Sequence, residues 1–313
     1  FGTGLLNLDL MGERIVVVGK NRYEWCISYL ATTCSNMVIV PIDKALPDIE
    51  MQRLIERSEA KAIIFDEKYL ETIKKVQEKE NSNLKTLICM DNIQEKGIKT
   101  FNEILEEGRN QIKNGDQKYD NIEIDENKMS IMLFTSGTTN EPKAVMLSQA
   151  NICANISNIA CWVKLYPTDV LLSFLPIHHT FECTITFLYG FYSGSQVAFC
   201  DGLKHIQQNL KEYKVSVFVA VPLVLETMYK KIQKAIEEQG KTGLIKKMTK
   251  ISNTLLKAKI DIRKIVFKQI LDNFGGHLRV VLYGAAPMNK ATIIGYNNLG
   301  ISLVQGYGLT ETS

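Results

Sequence analysis

The sequence lacks several features that would point to particular protein classes. Its apolar runs are all shorter than the roughly 18 residues that a membrane-spanning helix needs, and its N-terminus lacks the residue order of a signal peptide. The formal net charge of +3 is too small to predict a nucleic-acid partner, because binding to a phosphate backbone needs a concentrated basic face. The seven cysteines form no C-x-x-C pair and no metal-binding spacing with histidine. A disulfide framework is therefore not expected, and a reducing, cytoplasmic location is predicted.

What remains is an ordinary globular composition. The 313 residues are 45% hydrophobic and 23% charged, which suffices for one large domain or two smaller ones. No internal repeat or low-complexity tract is visible in the sequence. The chain starts at Phe1 rather than Met and stops at Ser313, just after a turn rich in glycine and threonine. We therefore expect it to be a piece of a longer protein.

Short apolar runs rich in β-branched residues alternate with helix-length segments along most of the chain. This order predicts an α/β protein with largely parallel, buried strands. Helices are expected after Pro47 and over residues 101–112. The main predicted strands cover residues 14–18, 37–42, 62–66, 84–90, 130–134, 170–175, 215–221 and 278–283.

Residues 241–268 contain nine lysines and arginines against a single acid, Asp261. Apolar residues lie between these cations, and the pattern predicts a basic amphipathic helix. Such a helix could contact an anionic membrane surface or a phosphorylated cofactor. The alternative is the solvated face of a helix packed on the domain.

The most informative segment is a loop of small and hydroxylated residues that follows an apolar strand. Backbone N–H groups and hydroxyls in such a loop can approach a phosphate closely, and Lys143 adds a positive charge. Helical sequence resumes at Leu147, so the segment predicts a strand, loop and helix around a phosphate. No glycine directly precedes the lysine, which excludes a Walker A loop, and an ordinary surface turn is the alternative. The loop residues are Thr135, Ser136, Gly137, Thr138 and Thr139.

Three further segments place polar or small residues where a predicted strand ends. Two adjacent histidines, His178 and His179, follow the strand at 170–175, and either a binding or a structural role is open to them. The small residues at 284–287 either leave room for a flat ring against the backbone or form a simple turn after a strand. The segment at 302–312 offers an aromatic ring for a base, a hydroxyl for a phosphate and a carboxylate for a hard cation.

The run TSGTTNEPKAVMLS at 135–148 resembles the signature phosphate loop of the adenylate-forming superfamily, which includes acyl-CoA synthetases, luciferases and the adenylation domains of peptide synthetases. The other three segments follow in the order of that family. Two positions depart from it, because the family usually has glycine where this chain has Asn140 and Ala144. Asparagine tolerates positive φ, whereas Ala144 could crowd a close approach of the backbone. Residues 12–18, 21–25 and 40–42 are similar to long-chain acyl-CoA synthetases, most of all the bacterial ones.

The resemblance implies the α/β fold of the acyl-CoA synthetase N-terminal domain, with largely parallel, helix-flanked sheets. Residues 1–313 would be part of that large AMP-binding domain, without the C-terminal lid domain. The implied activity is the activation of a fatty acid, expected to be long-chain, by ATP and Mg²⁺ to acyl-adenylate and then acyl-CoA, with release of pyrophosphate and AMP. The family's ribose-binding aspartate and catalytic lysine follow the point where this chain ends. We therefore expect the chain to be inactive alone.

The resemblance also implies residue roles. Loop hydroxyls and Lys143 would handle the β- and γ-phosphates, His179 would lie near the substrate carboxylate, and Tyr307 would stack on adenine. Thr310 would bind the α-phosphate, and Glu311 would hold Mg²⁺ together with Thr138. The expected nucleotide-binding residues are Thr135, Ser136, Gly137, Thr138, Thr139, Lys143, Gly284, Ala285, Ala286, Pro287, Gly306, Tyr307, Gly308 and Thr310. The expected catalytic residues are Lys143, His179, Thr310 and Glu311.

Two alternatives remain open at this point. An acyl–carrier-protein ligase would form the same acyl-adenylate but would not transfer the acyl group to CoA. A nucleotide-binding homologue without catalysis is suggested by Asn140 and Ala144. The expected partners are fatty acid, ATP, CoA and the absent C-terminal domain. Peripheral membrane contact through residues 241–268 would make the cytoplasmic protein membrane-associated.

Overall fold

A computed structural model describes residues 1–135 and 141–313, which form two compact units. Unit 1 comprises Phe1–Ile159, Pro176–Thr180 and Leu309–Ser313, and unit 2 comprises Ala160–Leu175 and Phe181–Gly308. Each unit contains one β-sheet and its own cluster of buried apolar side chains. The predicted α/β class with largely parallel sheets is confirmed.

Unit 1 contains a seven-stranded sheet in the order β5-β4-β3-β1-β2-β6-β7. Its strands pair in parallel, except that β7 runs antiparallel to β6. Strands rich in valine and isoleucine bury both faces, as expected for a parallel sheet covered by helices. The strands are β1 (Arg14–Val18), β2 (Val38–Pro41), β3 (Ala62–Phe65), β4 (Thr86–Cys89), β5 (Lys99–Thr100), β6 (Met129–Thr135) and β7 (Lys143–Ser148).

Unit 2 contains a five-stranded sheet in the order β12-β11-β10-β8-β9, in which all the pairs are parallel. The central β10 and its neighbour β11 are buried along their whole length. The strands are β8 (Val170–Ser173), β9 (Gln196–Phe199), β10 (Val217–Ala220), β11 (Val280–Tyr283) and β12 (Ser302–Gln305).

Local sequence signals fix several helix starts. The Thr100 hydroxyl accepts a hydrogen bond from the backbone N–H of Glu103, whose carboxylate accepts one in return from the backbone N–H of Thr100. Asn289 caps α14 by accepting from the backbone N–H of Ala291. The helices are α1 (Gly2–Leu6), α2 (Tyr23–Thr33), α3 (Asp48–Ser58), α4 (Leu70–Gln77), α5 (Phe101–Lys113), α6 (Gln149–Trp162), α7 (Thr180–Glu182), α8 (Gly190–Tyr192), α9 (Ile206–Glu212), α10 (Pro222–Glu238), α11 (Thr242–Lys257), α12 (Arg263–Val266), α13 (Lys268–Leu271) and α14 (Lys290–Leu299).

The two sheets repeat one strand order. Numbered from the first strand of each unit, the five strands of unit 2 and the first five strands of unit 1 both follow the order five, four, three, one, two. This is a doubly wound order, in which the chain changes direction beside the first strand. Ligands of such sheets bind at the carboxyl ends of the strands. Two edges of this kind are therefore present, one in each unit.

One predicted local structure is wrong, and a second is correct only in part. The phosphate loop was expected to lead into a helix at Leu147, but Leu147 and Ser148 belong to β7, and α6 begins only at Gln149. The apolar run at 145–147 pairs with β6 instead of forming a helical turn. The basic segment at 241–268 forms α11, α12 and α13 rather than one helix. Lys259 has a positive φ of 61°, and the Asp261 carboxylate accepts a hydrogen bond from the backbone N–H of Arg263.

Arg22 closes part of the carboxyl edge in unit 1. Its guanidinium donates two hydrogen bonds to Glu24 and one each to Asp66 and Asp91, at 2.6 to 3.1 Å. A fourth acceptor is the carbonyl of Met90, at 3.3 Å. These partners follow β3 and β4 or belong to the first turn of α2. The Asn-Arg-x-Glu-Trp pattern at residues 21–25 thus has a structural reason, since it places an arginine and its partner where three strands end.

Candidate functional site

The predicted phosphate loop joins the two strands of an antiparallel hairpin. Thr135 ends β6, Lys143 begins β7, and these two residues are paired across the ladder. Thr135 is half-buried, whereas Lys143 is exposed. The predicted phosphate ligands Ser136, Gly137, Thr138 and Thr139, together with Asn140, lie outside the described residues.

Ala144, one of the two departures from the family pattern, lies within β7 opposite Phe134. It is exposed, and it is not among the residues with positive φ. A strand conformation of this kind accepts a Cβ atom without strain. The backbone of β7 therefore does not itself require glycine at position 144.

Glu141 was not among the sequence predictions, yet its carboxylate binds two arginines of α3. Oε1 accepts a hydrogen bond from Arg53 at 2.6 Å, and Oε2 accepts one from Arg57. Arg53 lies 88 positions and Arg57 lies 84 positions from Glu141 in the chain. No local pattern links residues so far apart, and only the α3 spacing of four residues between the arginines was visible in the sequence.

The turn that carries Thr310 and Glu311 lies against β7 within unit 1. Thr310 is half-buried and Glu311 is exposed. The turn is followed by Ser313, whose carbonyl accepts a hydrogen bond from the side chain of Asn155 and whose hydroxyl lies 3.4 Å from the carbonyl of Asn151. Unit 1 thus brings the strand that begins at Lys143 next to the segment predicted to bind the α-phosphate and Mg²⁺.

The paired histidines follow β8 and precede α7. Burial lowers the pKa of His178 to about 4, although Asp43 opposes this change. His178 Nδ1 lies 3.8 Å from Asp43 Oδ1, which is too long for a hydrogen bond, and a neutral imidazole makes no ion pair at pH 7. Burial also lowers the pKa of His179, whose backbone N–H donates to the carbonyl of Pro176 at 3.0 Å. Both rings are therefore neutral hydrogen-bonding groups at physiological pH.

In unit 2 the two segments predicted to hold adenine lie side by side. Tyr283 and Gln305 are register partners at the carboxyl ends of β11 and β12. The backbone N–H of Gly306 donates to the Tyr283 carbonyl at 2.8 Å. A Cβ atom on Gly284 would meet the Gly306 carbonyl oxygen at 3.1 Å and the ring of Phe181 at 3.2 Å. The absence of a side chain at Gly284 is what lets these turns approach each other.

Ala285 has a positive φ of 68°. A non-glycine residue in this conformation costs on the order of 1 kcal/mol, and such strain is concentrated at functional sites. Ala285, Ala286 and Pro287 are exposed, and Tyr307 keeps 95% of its surface accessible. An open backbone turn and an uncovered aromatic ring are thus available on this edge of unit 2.

Glu182 is a further titratable group, for which the sequence predicted no role. It is 1% exposed and lies where α7 passes into the π-helical segment Cys183–Tyr189. Burial raises the pKa of Glu182 to about 8, although hydrogen bonds from Ser173, Thr186 and the backbone of Phe174 oppose this. A charged residue before the apolar run at 183–189 was a visible signal, since buried glutamates are rare.

The predicted ligands divide between the two units. Unit 1 contains Thr135, Lys143, His179, Thr310 and Glu311, whereas unit 2 contains residues 284–287 and 306–308. Within residues 1–135 and 141–313, no three His, Cys, Asp or Glu side chains are grouped so as to hold a metal ion. In the same part of the chain, no helix has both the length and the apolar content for crossing a membrane.

Comparison with known proteins gives consistent matches. The chain is 30% identical over 337 residues to long-chain-fatty-acid–CoA ligase 6 of Mus musculus, covering 99% of this chain and 47% of the relative. It is 28% identical over 336 residues to long chain acyl-CoA synthetase 4 of Arabidopsis thaliana, covering 99% and 50%. The chain thus spans about half the length of the curated relatives it matches.

Solved structures show the same fold. A long-chain-fatty-acid-CoA ligase from Archaeoglobus fulgidus superposes with a TM-score of 0.74 at 20% identity, covering 99% of this chain and 55% of that one. The inhibitor-bound N-terminal domain of FACL13 from Mycobacterium tuberculosis gives 0.69 at 19% identity, with coverage of 99% and 66%. Residues 1–313 also match the family described as AMP-binding enzyme along their whole length. The chain therefore belongs to the AMP-binding enzyme family.

Proposed function

We propose that this chain supplies the nucleotide- and acyl-binding part of a ligase that activates a long-chain fatty acid with ATP. The acyl-adenylate would then pass its acyl group to the thiol of CoA, releasing AMP. The observation that carries the proposal is the pair of touching turns at Gly284 and Gly306, at the edge of a doubly wound sheet where ligands bind. The names of the relatives support the fatty acid as substrate.

Two parts of unit 2 would hold the nucleoside. Tyr307 is exposed and offers an aromatic face to adenine. The small residues at 284–287 would let the ring lie against the backbone. Because Ala285 already holds its strained conformation in the folded chain, no ordering of that turn would be needed on binding.

The chemistry would depend on placement and charge more than on a protein nucleophile. Attack of the carboxylate on the α-phosphate builds negative charge on phosphate oxygens, and fixed cations and hydroxyls stabilise it. Lys143 would face the β- and γ-phosphates with the loop hydroxyls, and Thr310 would donate to the α-phosphate. His179, as a neutral ring, would hydrogen-bond near the substrate carboxylate without competing with Lys143 for charge.

Mg²⁺ fits the residues that are present. Protein sites for Mg²⁺ commonly supply one or two carboxylates, and substrate phosphates and water complete the octahedron. Glu311 is an exposed carboxylate next to the strand that begins at Lys143, and Thr138 is the other proposed ligand. The ion would supply neutralisation of phosphate charge.

The adenine subsite can be tested with a single methyl group. Gly284→Ala places a Cβ atom against the Gly306 carbonyl and the Phe181 ring, so we expect ATP and AMP to bind about tenfold more weakly, equally for both nucleotides. Isothermal titration calorimetry measures both affinities. Gly243→Ala is the matched control, because nothing lies within 4 Å of its added Cβ atom. Unchanged nucleotide affinity in Gly284→Ala would remove the proposed subsite.

Adenylation itself can be tested by a second assay. Since the chain spans about half the length of its relatives, we propose that a C-terminal domain must be added before adenylation is completed. Fatty-acid-dependent exchange of pyrophosphate into ATP should be absent in residues 1–313 and present in a longer protein that continues past Ser313. Fatty acids of graded length would define the substrate. Strong exchange by residues 1–313 alone would contradict the requirement.

The same longer protein separates the alternatives. Acyl-AMP formation without acyl-CoA formation would indicate a carrier-protein ligase, and ATP binding without exchange for any carboxylate would indicate a homologue without catalysis. We favour transfer to CoA because the relatives named above are CoA ligases and acyl-CoA synthetases.

We also propose a cytoplasmic location with peripheral membrane contact through residues 241–268. In α11 the apolar side chains of Leu244 and Ile251 are 54% and 47% exposed among lysines. Cations surrounding exposed apolar groups suit an anionic lipid surface. Binding to vesicles containing phosphatidylserine but not to neutral vesicles would support the contact, and no binding to either would exclude it.

A further inference from the structure

Helix α3 is anchored in the core of unit 1 and carries two arginines on its exposed face. Its Met51, Leu54 and Ile55 side chains belong to the buried core cluster of unit 1. Arg53 and Arg57, one helical turn apart, project from the opposite, exposed face. Packing of one face of α3 thus fixes the backbone positions from which the two arginine side chains extend.

Both guanidinium groups bind one carboxylate, that of Glu141, and each uses a different oxygen of it. The side chains remain partly exposed, at 44% for Arg53, 43% for Arg57 and 56% for Glu141. Single exposed ion pairs contribute little to stability, but a carboxylate shared by two arginines is a small network with fixed geometry. We call these three residues the Arg53–Glu141–Arg57 cluster.

Glu141 lies beside the proposed phosphate loop, so the cluster can affect nucleotide binding as well as stability. Glu141 lies two residues before Lys143, at the end of the loop proposed above to receive the triphosphate. An unpaired carboxylate there would repel phosphate oxygens and would compete with them for Lys143. The two arginines remove this repulsion, because the cluster and Lys143 together contain three cations and one anion.

We propose that Arg53 and Arg57 are positioning residues for nucleotide binding, which act by holding the Glu141 carboxylate against α3 and away from the phosphates. The proposal rests on the proposed function, since it needs the β6–β7 loop to bind a triphosphate. Neither arginine is assigned a contact with the nucleotide. Their effect passes through Glu141 and the start of β7.

The decisive comparison is between ATP and AMP. In the double variant Arg53→Ala/Arg57→Ala, Glu141 is released, and we expect the affinity for ATP to fall about fivefold. AMP lacks the β- and γ-phosphates, so its affinity should change less than twofold. The midpoint of thermal unfolding should stay within about 2 °C of the wild-type value, because exposed pairs stabilise little. Titration calorimetry and a thermal melt of residues 1–313 supply the three readouts.

Two further variants sharpen the test. Arg53→Lys/Arg57→Lys keeps both cations while losing the planar fork, and it should retain most of the ATP affinity. Arg109→Ala removes an exposed arginine that pairs with Glu106, and it should leave both nucleotide affinities unchanged. If Arg53→Ala/Arg57→Ala binds ATP as tightly as the wild type, or loses ATP and AMP equally, the positioning role is wrong. If the wild type itself fails to bind ATP, the proposed function falls as well.

Discussion

At the scale of single residues, Glu182 is a carboxylic acid buried away from water. Its carboxyl is fully enclosed, and burial raises its pKa to about 8, far above the ordinary value of 4.5. The folded chain therefore holds this group protonated at neutral pH, whereas the unfolded chain ionises it above about pH 4.5. Folding consequently loses stability as the pH rises from about 4.5 to about 8.

Glu182→Gln should remove this loss. Glutamine is similar in size and neutral at every pH, and it can still accept the hydrogen bond from Thr186. We expect the variant to unfold at a higher temperature than the wild type at pH 8, with the difference shrinking toward pH 5. Thermal melts from pH 5 to pH 8 measure this.

Glu106→Gln serves as the matched control, since its carboxylate is 60% exposed in the native chain. It should show no such widening of the difference with pH. A Glu182→Gln curve parallel to that of the wild type would mean that Glu182 is already ionised in the folded chain.

At this scale, the sequence predicted the position of a residue where a single segment of the chain determines it. His179 and the turn at Gly284 follow predicted strands, and the structure has both at strand ends. The partners of Glu141 could not be found in the same way, because they lie more than 80 positions away and were brought close only by the packing of α3. The roles of Lys143, Thr310 and Glu311 remain predictions.

At the scale of elements, Arg22 links the loop after β1 with α2 and the loops after β3 and β4. Burial is the largest single influence on Glu24 and would raise its pKa, but the hydrogen bonds from Arg22, a backbone hydrogen bond and the charge of Arg22 together lower the pKa. Burial would likewise raise the pKa of Asp91, but the hydrogen bonds from the backbone N–H of Glu67 and from Arg22 together lower it. Glu24 and Asp66 are almost completely buried, so neither can exchange Arg22 for water.

Arg22→Ala should therefore destabilise the chain strongly. It leaves buried carboxylates without their cation, and we expect a loss of about 3 kcal/mol in the free energy of unfolding. Arg22→Lys should lose less, because it keeps the charge but cannot bind several acids at once. Urea unfolding measures both values. Arg109→Ala, at an exposed pair, should change the free energy by less than about 1 kcal/mol.

Sequence patterns predicted the buried strands better than the exposed edge strand. Runs of valine and isoleucine located β1, β3 and β11 to within two residues, because buried strands of parallel sheets are apolar on both faces. The edge strand β7 was missed, since five of its six residues keep some exposure and its pairing with β6 depends on the hairpin. The basic segment is interrupted between α11 and α12, where the Asp261 carboxylate accepts a hydrogen bond from the backbone N–H of Arg263. Composition alone does not predict this hydrogen bond.

At the scale of the whole molecule, no disulfide joins any of the seven cysteines, all of which lie within the described residues. Cys34, Cys153 and Cys161 are exposed, whereas Cys26, Cys89 and Cys183 are buried and Cys200 is intermediate. Burial also raises the pKa of Cys89 to about 11, which keeps that thiol from ionising at neutral pH. Exposure and ionisation together govern how fast a thiol reacts.

We therefore expect Ellman's reagent to modify the three exposed thiols of the native chain rapidly at pH 8. The remaining four should react only slowly until the chain is denatured, when the total should reach seven. The thermal midpoint should be the same with and without a reducing agent. A denatured total below seven in the absence of reductant would reveal a disulfide.

The strand order itself was beyond the sequence pattern. Alternating strands and helices predicted parallel sheets, but not that the 12 strands of the described residues would divide into two sheets with a repeated order. The sequence shows no repeat, because a doubly wound order requires only apolar strands and connecting helices of suitable length. Many different sequences satisfy these conditions.

The division of the chain also has a consequence for its synthesis. Unit 1 is assembled from three separate stretches, and the last of them, Leu309–Ser313, follows the whole of unit 2. A ribosome therefore synthesises the seven described strands of the first sheet, and then the five of the second, before the nascent chain contains Thr310 and Glu311. Whatever binds through those two side chains must wait for translation of residues 309–313, long after the β6–β7 hairpin has left the exit tunnel.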